Sequence, residues 1–377
     1  MRRTLRLTLG LLGAVCMAAL GSCTSMQEVK IGVAGPLSGE QATLGQDVLN
    51  GVNLAVEEWN AKGGIRGRRI SVTAVDDEND PTKAKEMAYY LARKRPLVVI
   101  GHVDSGCSLQ AAKTYQDNGV VMISPTSTSP KLTESGQDHV FRVCGRDDFQ
   151  GRAAALWFVK QYPDRSVGVV SDNSDYGRGL ADEFVRNYEF LSARKVLFRV
   201  ELQRGDPKLE PALSRCLEER PDLLFFGGLA NQGGALLKAL RERGSSAVFM
   251  AGDGCFGKPF LDAAGPEVAT GSLVTFYPDL SNIPGTRTET FLNGYRARYK
   301  SEPGPFGIFG YKAAHVALSA ISQAGVPLND RTIIDALHRL TFETVFGLMR
   351  FSDKGDPTET PVAIWVVEEG TFKEIGI

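Results

Sequence analysis

Residues 97–128 read LVVIGHVDSGCSLQAAKTYQDNGVVMISPTST. The apolar runs at 97–100 and 120–123 are short enough to be buried strands of a parallel sheet. Between them, after a small polar loop, residues 109–117 have a helix-like pattern. We therefore predict a strand–helix–strand unit, which is the building block of α/β folds.

Polar residues follow both predicted strands at the points where the strands end. Asp104 and Ser105 follow the first strand, and Thr126, Ser127 and Thr128 follow the second. In open α/β sheets, small ligands bind at the carboxyl ends of the strands, where hydroxyls and helix N–H groups suit a carboxylate or another small anion. Serine and threonine in such loops also commonly cap helices, and the residues alone leave both interpretations open.

The alternation of strand and helix extends in both directions from this stretch. One array of strands and helices runs from Val29 to about residue 144, and a second runs from about residue 147 to 254. Such alternation predicts parallel sheets that are covered by helices on both faces. From Ser272 onward the pattern changes and forms no third array. A chain of 377 residues is expected to fold as two domains.

Composition and motifs argue against several classes of protein. The net charge is −1 and no basic run is present, so the charge does not favour nucleic acid as a partner. The chain has no GxSxG or HExxH motif and its four His residues are scattered, so we expect no enzyme, no metal site and no cofactor. The cysteines of the mature chain lack metal-ligand spacing and are expected to be separate buried thiols: Cys107, Cys144, Cys216 and Cys255.

The N-terminus has the features of an export signal. Three arginines in the first six residues precede an apolar segment at 7–20 that is too short to span a bilayer. The segment ends in Leu20-Gly21-Ser22-Cys23, which resembles the lipobox of bacterial lipoproteins. We expect 1–22 to be a signal peptide and 23–28 a linker lipidated at Cys23, which would hold an exported protein on a membrane of the cell envelope. A plain signal peptide that happens to contain Cys23 is the alternative.

Six short motifs together resemble the Leu/Ile/Val-binding protein family, the amino-acid receptors of ATP-driven bacterial importers. In chain order they are GPLSG (35–39), NAKGGI (60–65), VIGH (99–102), MISP (122–125), YGRG (176–179) and DKGD (353–356). Each motif is weak alone, and their order along the chain carries the resemblance.

The resemblance implies a two-lobed clamshell of the type I periplasmic binding proteins. Each lobe would be a mainly parallel α/β sheet, and the chain would cross between lobes near Gly145, Gly271 and Ser352. Lobe one would comprise 29–146 plus 274–352, and lobe two 147–273 plus 353–377.

The resemblance also implies a ligand site, residue by residue. Ser105 and Thr128 match positions whose hydroxyls hold a ligand carboxylate, and the backbone at Thr126 and Ser127 matches groups that help to hold both ends of an amino acid. Asp253, which from its position alone could be a solvated loop acid, matches an acidic residue that pairs with the ligand ammonium. Tyr176 would lie beside Asp253 across the cleft.

The sequence departs from the family pattern at several of these positions. Asn79 and Asp104 match the positions of the family's disulfide, so that bridge should be absent. Leu44 and Leu229 stand where ring-bearing residues often line the side-chain pocket. Asp147 lies at the edge of the hinge and could add a polar contact.

The resemblance implies a non-catalytic receptor that closes on its ligand by hinge motion. The ligand would be an amino acid, branched-chain or otherwise aliphatic, which a monomeric receptor delivers to an ABC permease in the inner membrane. A sensor of the same fold that signals the presence of a small acid or amide is the alternative.

Overall fold

The structure is a computed structural model and describes residues 28–279 and 288–376. The predicted signal peptide and the predicted lipidation site Cys23 lie outside these ranges. No helix within the two ranges is both long enough and apolar enough to cross a membrane.

Strands and helices alternate through most of the described chain. The first elements are β1 (Val29–Gly35), α1 (Ala42–Ala61), β2 (Ile70–Asp76), α2 (Pro81–Lys94), β3 (Val98–Ile100), α3 (Ser105–Asp117), β4 (Val121–Ser124), α4 (Lys131–Glu134), β5 (Val140–Arg142), α5 (Asp147–Gln161), β6 (Val167–Ser171), α6 (Asp175–Ser192) and β7 (Phe198–Glu201). They are followed by α7 (Glu210–Glu219), β8 (Leu223–Gly227), α8 (Ala230–Glu242), β9 (Val248–Ala251), α9 (Lys258–Ala264), α10 (Pro266–Ala269), β10 (Leu273–Phe276), α11 (Thr288–Tyr299), α12 (Gly307–Gln323), α13 (Asp330–Arg339), β11 (Phe342–Thr344), β12 (Gly347–Met349), β13 (Ala363–Glu368) and β14 (Thr371–Gly376).

Lobe one is built on a five-stranded parallel sheet in the order β2–β1–β3–β4–β5. Its apolar side chains pack against α1 and α12 on one face and against α2 and α3 on the other. Helices α1 and α12 approach closely at Gly51, where a Cβ would lie 1.9 Å from the carbonyl oxygen of Gly307. This packing fixes the ends of β3 and β4, from which the two polar loops start.

Lobe two is built on a seven-stranded sheet in the order β14–β13–β10–β9–β8–β6–β7. Strands β13 and β14 make antiparallel pairs, and the other pairs are parallel. Strand β10 therefore belongs to lobe two, and the prediction that lobe one resumes at residue 274 is wrong. The apolar run Leu273–Phe276 is hydrogen-bonded between β9 and β13, so the chain leaves lobe two only after Phe276. The other predicted lobe limits stay predictions.

Ion pairs between largely buried side chains join two of the segments that connect the lobes. Arg142 ends β5 and Arg146 precedes α5, while Asp356 lies between β12 and β13. Arg142 Nε lies 2.7 Å from Asp356 Oδ1, and Arg146 Nη1 lies 2.9 Å from Asp356 Oδ2. The two sheets and these connections confirm the predicted α/β fold of two lobes. Within the described ranges all four cysteines are buried and free of disulfides.

Candidate ligand-binding site

A cavity lies between the two lobes, at the carboxyl ends of their strands. Six of the residues that the sequence predicted for the site line it: Leu44, Ser105, Thr126, Tyr176, Leu229 and Asp253. The other three predicted residues, Ser127, Thr128 and Asp147, are buried. Whether each of the nine contacts a ligand stays a prediction.

On the side of lobe one, Ser105 and Thr126 line the cavity, and the buried residues 127–129 continue the loop from Thr126. We call Ser105 and residues 126–129 the donor wall. Asp104 caps α3, because its Oδ1 accepts hydrogen bonds from the N–H groups of Gly106 at 2.8 Å and Cys107 at 3.3 Å. Ser105 is therefore the first residue of the helix and not its cap. Its Oγ accepts a hydrogen bond from the N–H of Ser129 at 3.2 Å, which ties the two polar loops together.

The hydroxyls of residues 126 and 127 are occupied within lobe one. Thr126 Oγ1 donates to the carbonyl oxygen of Val103 at 2.8 Å, and Ser127 Oγ lies 2.7 Å from Ser108 Oγ. These bonds hold the loop against the end of β3. Only the backbone of these two residues could therefore serve a ligand without a rearrangement, as the family resemblance implied.

Arg142 holds the same loop from behind. Its side chain is fully buried and donates to the carbonyl oxygens of Ser127 at 2.7 Å and Ser129 at 2.9 Å. The ion pair with Asp356 neutralises its charge. The donor wall is thus fixed to a segment that connects the two lobes.

On the side of lobe two, Tyr176 and Asp253 line the cavity, and Asp147 is buried near Asp253. We call these three residues the acid wall. Asp253 begins a short 3₁₀ turn after β9, and its Oδ1 accepts a hydrogen bond from the Tyr176 hydroxyl at 2.7 Å. The same hydroxyl accepts from the N–H of Gly254 at 2.9 Å. A Cβ at Gly254 would lie 2.9 Å from the Tyr176 ring, so only glycine leaves the ring in place. Burial raises the pKa of Asp253, and the Tyr176 hydrogen bond partly opposes that rise.

Asp147 is the second acid of this wall and is fully buried at the start of α5. Its N–H donates to the carbonyl oxygen of Thr128 at 2.9 Å. Neither of its carboxylate oxygens, nor the Thr128 hydroxyl beside it, makes a well-formed hydrogen bond within the described residues. Burial and then the charge of Asp253 raise the pKa of Asp147 well above its usual range, although the Thr128 hydroxyl and Arg142 oppose this. In the described part of the chain, no cation forms an ion pair with either acid.

The rest of the cavity is mainly apolar. Side chains of this kind come from both lobes: Pro36, Leu44, Val103, Leu229 and Phe306. Asn79 and Asp104, the positions that match the family's disulfide, line the cavity as well. The pocket can therefore enclose an apolar group, with two polar side chains at its edge.

Comparison with known proteins agrees with this geometry. A model of the periplasmic binding protein family matches residues 28–371. The chain belongs to this family. It is 32% identical over 360 residues to Leu/Ile/Val-binding protein homolog 2 of Brucella abortus. The aligned region covers 94% of this chain and 95% of the relative. The predicted relationship to the Leu/Ile/Val-binding proteins is confirmed.

Solved structures extend the likeness to the whole fold of this periplasmic binding protein. The leucine binding protein LivK of Thermotoga maritima has a TM-score of 0.85 at 28% identity, covering 92% of this chain and 97% of that one. LivJ of Streptococcus pneumoniae, solved in complex with isoleucine, has a TM-score of 0.83 at 26% identity, covering 93% and 100%. The type I clamshell is thereby confirmed, and the chain has the solute-binding fold of its family.

Sequence reasoning missed Arg142 as a residue of this binding protein's site. The signal was present, because an arginine interrupts the apolar run Val140–Val143 of a buried strand. A charged residue in such a strand needs a buried partner. Its partner Asp356 is distant in sequence, so only the tertiary structure shows which loop the arginine holds.

Proposed function

We propose that this periplasmic binding protein captures an aliphatic amino acid between its lobes and delivers it to an ABC importer. The observation that carries the proposal is that Ser105 and Thr126 of the donor wall and Tyr176 and Asp253 of the acid wall line one cavity from opposite lobes. An amino acid has a carboxylate and an ammonium on one carbon, so it needs both kinds of wall a few ångströms apart.

The donor wall suits the carboxylate of such a ligand. The Ser105 hydroxyl lies at the N-terminus of α3, where the helix dipole favours negative charge. The Thr128 hydroxyl is buried without a well-formed bond in the described structure and could donate to a second carboxylate oxygen. Hydrogen bonds to a charged group contribute about 1.5–3 kcal/mol each.

The acid wall suits the ammonium. Asp253 lines the cavity, and Asp147 lies close enough for the charge of Asp253 to raise the pKa of Asp147. A buried charge is tolerated only when it is paired. A ligand ammonium beside Asp253 would supply the missing positive charge.

The apolar residues of the cavity suit a branched or other aliphatic side chain. Leu44 and Leu229 take up less space than the ring-bearing residues of the family, so the subsite has room for such a group. The names of the relatives support this class of ligand, since they include a Leu/Ile/Val-binding homolog and a structure with isoleucine.

Three compounds test the proposal by calorimetry on the mature protein. They are L-leucine, 4-methylpentanoate, which lacks the ammonium, and 3-methylbutan-1-amine, which lacks the carboxylate. Leucine should bind at least about 10-fold more tightly than either truncated compound, because each loses charge-assisted hydrogen bonds. A thermal-shift screen of the other amino acids would refine the choice of ligand. Equal binding of leucine and 4-methylpentanoate would contradict the proposal and favour a receptor for small organic acids.

The delivery step would use a membrane-anchored receptor. The Leu20-Gly21-Ser22-Cys23 motif supports lipidation at Cys23, and the Cys23→Ala variant should then be released from the membrane fraction or fail to mature. If this variant is processed and fractionates like the parent, the anchor proposal is wrong. Leucine binding by the soluble mature domain does not depend on that outcome.

A further inference from the structure

Arg204 contacts acids of both lobes at the edge of the ligand cavity. It lies between β7 and α7 in lobe two. Its Nη2 is 3.0 Å from Oδ2 of Asp104 in lobe one, and its Nε is 3.1 Å from Oδ2 of Asp172 in lobe two. The guanidinium therefore bridges the cleft.

Each of the two acids uses one oxygen within its own lobe and the other for Arg204. Asp104 Oδ1 caps α3, and Asp172 Oδ1 accepts a hydrogen bond from the N–H of Ser174 at 3.0 Å. Both acids are nearly buried, and the Arg204 side chain is 24% exposed. An ion pair in such surroundings is screened by solvent far less than a surface pair.

The two ion pairs respond differently to movement of the lobes. Asp172 directly follows β6 in the same lobe as Arg204, so this pair persists when the lobes separate. Asp172 thereby keeps the guanidinium in place before closure. The pair with Asp104 exists only while the lobes are together, so its free energy favours the closed arrangement alone.

We propose that Arg204 is a positioning residue that holds the lobes closed over the ligand by pairing with Asp104. Asp104 is adjacent to Ser105 and caps the helix on which Ser105 lies, so the pair draws the donor wall toward lobe two. Arg204 would raise affinity without touching the ligand, mainly by slowing ligand release. The inference rests on the proposed ligand capture but not on the identity of the ligand's side chain.

A double-mutant cycle tests the pair, with L-leucine as the probe. Arg204→Gln and Asp104→Asn each remove one charge, and asparagine can still cap α3. Each single variant should bind leucine about 10- to 100-fold more weakly, and the double variant should be no weaker than the weaker single variant. The affinity of the parent should also fall more steeply with added salt than that of Arg204→Gln.

Arg243→Gln is the matched control. Arg243 pairs with Glu210 through two contacts of 2.8 Å, and both residues belong to lobe two. Loss of this exposed pair should leave leucine affinity within about twofold of the parent, because it does not connect the lobes.

Small-angle scattering of the ligand-free proteins provides a measurement that needs no ligand. Arg204→Gln and Asp104→Asn should have a larger mean radius of gyration than the parent and Arg243→Gln. Identical scattering, or effects on affinity that simply add in the double variant, would overturn the proposal. If the parent binds no amino acid, the proposed function fails, and the scattering comparison alone decides whether the pair holds the lobes together.

Discussion

The two walls of the cavity differ in how their polar groups are satisfied. In the donor wall, Ser105, Thr126 and Ser127 make hydrogen bonds within lobe one, and Arg142 fixes the loop through two carbonyl oxygens. In the acid wall, burial raises the pKa values of both aspartates, and Asp147 lacks a well-formed hydrogen bond to its carboxylate among the described residues. The donor wall is therefore preformed apart from the Thr128 hydroxyl, whereas neither acid of the acid wall forms an ion pair within the described residues.

This difference has a consequence for selectivity. A preformed donor wall can accept many small anions, because hydroxyls and N–H groups recognise any carboxylate. A ligand without positive charge would leave Asp253 without an ion-pair partner, so the acid wall should disfavour such a ligand. Discrimination in favour of amino acids should therefore reside in lobe two.

The largest effect is expected from Arg142→Met, which removes the support of the donor wall. The change leaves Asp356 with Arg146 as its remaining partner and removes the donor to the carbonyl oxygens of Ser127 and Ser129. The free energy of unfolding should fall by about 3–5 kcal/mol. Urea denaturation of the ligand-free protein measures this loss. Arg142→Lys is the matched variant, since lysine keeps the charge but cannot bridge the same carbonyls, and it should recover only part of the stability. An unchanged denaturation midpoint for Arg142→Met would show that the donor wall does not depend on this arginine.

Asp253→Asn should have the next largest effect and acts on the acid wall. The substitution keeps the shape but removes the charge that faces the ammonium, so leucine affinity should fall by about 2–5 kcal/mol, or about 30- to 5,000-fold. Calorimetry measures the change. Asp262→Asn is the control, because Asp262 is exposed and its ion pair within the described ranges is with the nearby Lys258. Binding of leucine by Asp253→Asn as tightly as by the parent would mean that the ammonium is recognised elsewhere.

Ser105→Ala should have a smaller effect, because the donor wall has other donors. Loss of one hydrogen bond to a carboxylate is expected to weaken leucine binding by about 10- to 150-fold. The same variant should weaken 4-methylpentanoate by a similar factor, whereas Asp253→Asn should not weaken it. If Ser105→Ala affects only leucine, the assignment of the carboxylate to the donor wall is wrong.

The smallest effect is expected from Asp147→Asn, which concerns stability rather than affinity. The pKa of Asp147 is raised in the folded state, so its contribution to stability is fully present below a pH of about 4 and is lost as the pH rises through the folded pKa. At pH 8 the ligand-free variant should therefore be more stable than the parent by about 1–3 kcal/mol, with little difference at pH 4.

Asp47→Asn provides the contrast to that variant. Burial raises the pKa of Asp47 too, but its carboxylate accepts hydrogen bonds from the N–H groups of Gly304 and Phe306 at 3.0 and 2.9 Å. Loss of a well-bonded carboxylate should destabilise the protein at pH 8. Thermal unfolding of both variants at the two pH values measures this difference, and destabilisation by Asp147→Asn at pH 8 would show that the acid wall is already complete without ligand.

Much of the fold could be predicted because short apolar runs and motifs indicate individual strands and helices. The run at 97–100 predicted β3, and the order of six motifs predicted the two-lobed architecture. The helix predicted at 109–117 begins earlier, at Ser105, because Asp104 caps its first turn. Strand β10 was assigned to the wrong lobe because an apolar run identifies a strand but not its neighbours. Its position was decided by hydrogen bonds to β9 and β13, and β13 lies far along the chain.

The sequence by itself determined the class of fold, the two polar loops and the residue types of the candidate site, since these follow from short-range spacing and from the order of motifs. Only the tertiary structure decided which charges meet. Arg142 pairs with Asp356, and Arg204 pairs with Asp104. The partners lie far apart in sequence, so no local pattern predicts these pairs. The physical reason is that a buried charge requires a partner but does not specify which one. That choice is made when the strands that carry the charges are brought together by the packing of two apolar cores.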